Sequence, residues 1–145
     1  MIEIKTPAEI ESMRRASRVV AEVLQELKPR VKPGVATAEL DKFAERRVRE
    51  LGAVPAFLGY RGYPATLCVS LNEEIVHGIP SPKRVIREGD IVSLDMGAVI
   101  EGFYGDAALT VAAGGASPEA RRLMEVTSRS LDAALAAVKA GARLG

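Results

Sequence analysis

Apolar residues near the start of the chain recur at helical spacing, whereas those beyond Ala65 switch to the two-residue alternation of strands. Ile10, Met13, Val20, Leu24 and Leu27 fall on one stripe. Thr6, Pro7 and Glu9 open it, a capping-box pattern with proline at the first helical position. "KPGV" ends that helix, and a second follows with Leu40, Phe43, Ala44 and Leu51 apolar, stopping at Gly52. A Gly/Tyr/Pro loop then leads into an alternating strand near Thr66–Leu71. After "REGD" comes "LDMGAVIEGFYGDAALTV", Leu94 to Val111, which predicts a β-hairpin turning at Glu101-Gly102. Ser117 and Pro118 open a last helix with Leu123, Met124, Leu131, Leu135 and Val138 on its apolar side. Helices, then antiparallel strands, then a helix predict an α+β fold.

The first and last helices also resemble each other. At an offset of 107, Arg14, Arg15, Val19, Leu24, Val31, Lys32 and Gly34 meet Arg121, Arg122, Val126, Leu131, Val138, Lys139 and Gly141. Such an ordered match predicts that a second copy of one structural unit begins near the final helix.

Aspartate is depleted in strand interiors, yet the hairpin carries one in each arm. A two-residue turn pairs Ile100 with Phe103 and sets Asp95 opposite Ala108. Asp106 is two positions from that partner, so both acids occupy one face. Diagonal neighbours of this kind lie about 7–8 Å apart at Cα, within reach of a common point. Convergent carboxylates repel unless they share a proton, face an Arg or Lys, or hold a cation. Spacing alone leaves these three open, together with a bulged hairpin that sets both acids at a wet edge.

His77, in "NEEIVHGIP", is the sole histidine, and its turn-like setting is as compatible with function as with a structural hydrogen bond. Tyr60 and Tyr63 in "LGYRGYP" are placed either to wall a pocket or to pack over a sheet edge. Cys68, the sole cysteine, excludes an intrachain disulfide and suits plain core. Twenty basic and nineteen acidic residues give a net charge of +1, which offers no electrostatic basis for binding nucleic acid or an anionic membrane surface. The clusters "RRASR" and "ERRVRE" read as solvated helix faces. Without an apolar leader or a stretch of transmembrane length, a cytoplasmic location is expected.

"LGYRGYPATLCVSLNEEIVHGIP" followed by "GDIVSLDMGAVIEGFYGDAALTV" closely resembles the type I, bacterial class of methionine aminopeptidase, and the resemblance runs along the whole chain. It implies the pita-bread α+β architecture, two pseudo-symmetric halves around a dinuclear metal centre. Residues 1–116 would be the N-terminal half, and residues 117–145 the first helix and turn of the second. By the same resemblance Asp95 and Asp106 are metal ligands for two divalent ions (cobalt, manganese, iron or zinc). His77 is catalytic, bonding the scissile-amide region of the substrate. Tyr60, Tyr63 and Cys68 line the pocket for the methionine side chain, with Phe57 in the neighbouring wall. The implied substrates are N-terminal methionyl peptides of nascent chains, from which the initiator methionine is removed.

The family's remaining ligands, a histidine and two glutamates, have no counterpart after Asp106, where the only acids are Glu119, Glu125 and Asp132. The protein ligands fall from five to two, so weak metal binding and little peptidase activity are expected of a monomer. A truncation, an engineered half and a natural relative that lost catalysis are the explanations this leaves. In the engineered case, a homodimer would complete the fold and bring four aspartates together. The competing reading is a non-catalytic half-domain, or a self-associating scaffold with a partial metal site.

Overall fold

The computed structural model describes residues 3–143. Helix α1 spans Pro7–Leu27, and Thr6 and Glu9 cap it reciprocally as the capping-box pattern predicts. A 3-10 turn, Lys28–Arg30, follows, then α2 at Thr37–Glu50. Arg47 of α2 reaches Glu26 and Glu22 of α1 while also pairing with Glu50, and so ties the two helices. The "ERRVRE" cluster is therefore only partly a solvated face.

Both helices cover one side of a four-stranded antiparallel sheet. Its strands are β1 (Val54–Pro55), β2 (Leu67–Leu71), β3 (Ile91–Ile100) and β4 (Phe103–Ala112). Period-two alternation sends Leu67, Val69, Val92, Leu94, Met96 and Ala98 into the core with Val20, Val23, Leu27 and Leu40. Each fully buried leucine there contributes about 1.5–3 kcal/mol of burial free energy.

The stripe of α1 differs from its sequence pattern at one end. Val20, Leu24 and Leu27 are buried, but Ile10 and Met13 are exposed, and Ser12 and Ala16 face inward instead. Gly105 explains the change, since a Cβ on it would lie 2.5 Å from the backbone nitrogen of Ser17. The helix crosses β4 so closely that only small residues fit between them.

One edge of β3 is shared. Val54 and Pro55 pair with Val99 and Ala98, and the Ala56 N–H donates to Gly97 O at 3.0 Å. The chain then leaves the sheet and returns at Leu67, paired with Met96. The segment from Phe57 to Thr66 is thus an excursion at a seam between two strands that serve the same edge. Inside it, Gly59 N–H donates to Tyr63 O at 2.8 Å and Tyr60–Gly62 form a 3-10 turn.

Helix α3, Pro118–Ala137, is capped by Ser117. The offset of 107 reappears in its geometry. Val31 N–H bonds Lys28 O, and Val138 N–H bonds Leu135 O. Val35 N–H bonds Lys32 O, and Ala142 N–H bonds Lys139 O. Gly34 and Gly141 are both left-handed, with φ of 90° and 83°. The two helices differ in burial. Leu24 is 3% exposed and its counterpart Leu131 is 59% exposed, and Leu123, Val126, Leu135 and Val138 are exposed as well.

Candidate metal and substrate site

The turn of the β3–β4 hairpin is Glu101-Gly102, with φ of 52° and 81°, as a tight two-residue turn requires. Ile100 pairs with Phe103, Asp95 with Ala108 and Gly97 with Asp106, without a bulge. The register excludes the bulged reading. Both acids therefore stand on the sheet face away from the helices. Further along the same face Ser93 Oγ and Thr110 Oγ1 lie 2.8 Å apart. Glu101 accepts from Ser12 Oγ at 2.8 Å and pairs with Arg15, which fixes the turn against α1.

The electrostatics agree with this convergence. Burial pushes the Asp95 carboxyl up, the Asp106 carboxylate pushes it further, and His77 pulls it back. Asp106 is exposed and Asp95 only partly so. Among the described residues no arginine or lysine pairs with either acid, and no third His, Cys, Asp or Glu joins them in a metal-binding group. Two convergent carboxylates suit a hard or borderline divalent cation in kind. The donor set fits such an ion but supplies only one side of its coordination.

His77 belongs to a loop held tightly against β2. Val69 N–H donates to Gly78 O at 2.8 Å, and Gly78 N–H donates to Ser70 Oγ at 3.1 Å. Arg84 latches the same loop by donating to Val69 O and Ile79 O and pairing with Glu74. His77 itself sits at φ 61°, a left-handed conformation uncommon for a side-chain-bearing residue and frequent where function holds strain.

The pocket candidates divide by depth. Cys68 is 4% exposed and pairs directly with Asp95. Burial raises its thiol pKa, the Tyr63 hydroxyl works against that, and Asp95 and Asp106 add to it. Tyr63 shares its hydroxyl proton between Leu67 O at 3.2 Å and Gly78 O at 3.3 Å, and burial pushes its pKa up. Phe57 packs over Gly97, where a Cβ would meet its ring at 3.0 Å. Tyr60 stands apart at 64% exposure, with Arg61 over its ring. The structure thus gathers Asp95, Asp106, His77, Cys68, Tyr63 and Phe57 around one face and does not bring Tyr60 to them.

The sequence reading missed Gly97, Arg84 and Asp41. Asp41 of α2 accepts from Thr66 N–H and Leu67 N–H, both at 2.9 Å. An aspartate inside a helical stretch carries no signal of such a long-range bond.

This sheet, with two helices behind it and the two hairpin carboxylates on its other face, defines a pita-bread α+β protein. Residues 11–145 match the model of Metallopeptidase family M24, and the chain belongs to that family. It is 49% identical over 144 residues to methionine aminopeptidase 1 of Bacillus subtilis, covering 99% of this chain and 58% of that protein. The crystal structure of methionine aminopeptidase from Thermotoga maritima superimposes with a TM-score of 0.98 at 44% identity, over all of this chain and 58% of that one. An X-Pro aminopeptidase of Thermotoga maritima shares the fold with a TM-score of 0.77 at 24% identity, covering 95% of this chain and 38% of that one. The chain thus spans somewhat over half the length of its methionine aminopeptidase relatives.

Proposed function

We propose that this chain supplies one wall of a metal-dependent methionine aminopeptidase centre. The observation that carries the reading is the placement of Asp95 and Asp106 on one hairpin face, with the His77 loop latched beside them. Asp95 and Asp106 would hold the divalent ions, which would supply polarisation of the scissile carbonyl and acidification of water. His77 hydrogen-bonds the scissile-amide region. The excursion from Phe57 to Thr66, with Cys68 behind it, takes the methionine side chain through apolar, aromatic and sulfur contacts. The free amine of the substrate's first residue sits at the carboxylate side, which restricts cleavage to N-terminal methionyl peptides. Cytoplasmic nascent chains fit that specificity.

Residues 1–116 act as the N-terminal half, and α3 begins the second pseudo-symmetric half. Support for that division comes from the repeated helix ending at an offset of 107. The apolar stripe of α3 then seats on a sheet related to β2–β4, supplied by a completing polypeptide segment or by a second copy. With only two protein ligands, the chain alone binds metal weakly and turns over slowly.

The test is release of methionine from a Met-Ala-Ser peptide with manganese or cobalt, alongside manganese titration of the chain. Slow release that stops on chelation and in Asp95→Asn supports the reading. Manganese affinity unchanged in both Asp95→Asn and Asp106→Asn, or release indifferent to chelation, overturns it.

A further inference from the structure

Asp41 lies outside the candidate centre, on the helix side of the sheet, and is only partly exposed. Burial raises its carboxyl pKa, and the Thr66 and Leu67 N–H groups pull it back. An asparagine oxygen would accept the same two hydrogen bonds without the expense of desolvating a charge. What the charge adds is strength, since hydrogen bonds to an ionised acceptor are roughly twice as strong as neutral ones.

The place of those bonds matters. Thr66 and Leu67 are where the excursion rejoins the sheet, at 1% and 0% exposure. The next residue, Cys68, pairs with Asp95, and Leu67 O receives the Tyr63 hydroxyl. The other end of the excursion is held by Ala56 N–H on Gly97 O and by Phe57 packed over Gly97. One end is thus fixed by the β3 backbone; at the other, β2 pairing with β3 begins at Leu67, and the Asp41 carboxylate takes the Thr66 and Leu67 N–H groups. Thr66 Oγ1 is buried and has no partner among the described residues, so its own hydroxyl does not anchor the return.

We propose that Asp41 is a positioning residue for the side-chain pocket: it clamps the return of the Phe57–Thr66 excursion and so sets Tyr63 and Cys68 relative to the carboxylate pair. This rests on the methionyl-peptide reading above. Removing the clamp loosens the wall that meets the substrate's first side chain and leaves Asp95, Asp106 and His77 in place. The consequence is a loss of selectivity rather than a uniform loss of binding.

The experiment compares Met-Ala-Ser and Ala-Ala-Ser binding to the whole chain by backbone amide shifts, without added metal. In Asp41→Ala, affinity for the methionyl peptide should fall at least tenfold, while the alanyl peptide stays within twofold. Asp41→Asn keeps an acceptor oxygen and should lose about threefold for the methionyl peptide, and it decides the matter if the alanine variant does not fold. Equal losses for both peptides would mean a merely structural role and overturn the inference, as would unchanged discrimination in the folded variants. A wild-type chain that fails to discriminate the two peptides overturns the methionine reading itself, and the inference with it.

Discussion

Gly78 and Val69 touch backbone to backbone, so closely that a Cβ on Gly78 would stand 2.2 Å from the Val69 carbonyl oxygen. No rotamer relieves that clash, because the obstacle is the strand itself. Gly78→Ala should therefore push the loop off β2 and move His77, with a loss of about 1–3 kcal/mol typical of overpacking. A lowered melting temperature and shifted His77 ring resonances would confirm it. An unchanged melting temperature would show that the contact is looser than described.

Asp106→Asn separates the metal from the fold. Without metal, the substitution removes a repelling charge, so the Asp95 carboxyl should titrate lower by NMR while stability holds or rises slightly. With manganese present, the wild-type chain should be stabilised and the variant much less so, as binding linkage requires. Thermal shifts with and without manganese read both signs, and an equal manganese shift in the two proteins would remove Asp106 from the ligand set.

Acid should weaken the turn of the hairpin. Hydrogen bonds from Arg15 and Ser12 hold Glu101 below the ordinary carboxylate range. Its contribution is present above the unfolded value and is lost as pH falls through the lowered folded value. Burial raises Asp41 and Asp95, so theirs run the other way, present at low pH and lost as pH rises through their folded values. Urea midpoints measured from about pH 6 down to about pH 3, which bracket the carboxylate range, should show a flatter acid limb in Glu101→Gln than in wild type.

Leu24 and Leu131 occupy corresponding positions in α1 and α3 with opposite exposure. Leu24→Ala should cost about 2–5 kcal/mol of stability, as emptying a packed core site does. Leu131→Ala should stay within about 0.5 kcal/mol in this chain. Chemical denaturation of both variants checks the pair, and a large loss in Leu131→Ala would mean that α3 already has a partner in solution.

The parts of this structure that were legible in the sequence are those fixed by local chemistry. Thr6, Pro7 and Glu9 announced a helix start, and Glu101-Gly102 announced a turn whose parity places Asp95 and Asp106 on one face. Two-residue β1 was missed because so short a strand has no period of its own. The outward turn of Ile10 and Met13 depends on Gly105, about ninety positions away, bringing α1 against β4. The bond from Asp41 to the start of β2 is equally non-local. Nor did the pattern separate buried Leu24 from exposed Leu131, since both lie on amphipathic stripes and only tertiary packing distinguishes them.

Because β1 and β2 serve the same edge of β3, the ten residues between Ala56 and Leu67 can be treated as a cassette. Lengthening or exchanging them leaves the register of the acid-bearing ribbon alone, since that register is written by β3 and β4. On the function proposed above, exchanging this segment retunes which first residue is accepted while the wall that carries Asp95 and Asp106 stays fixed.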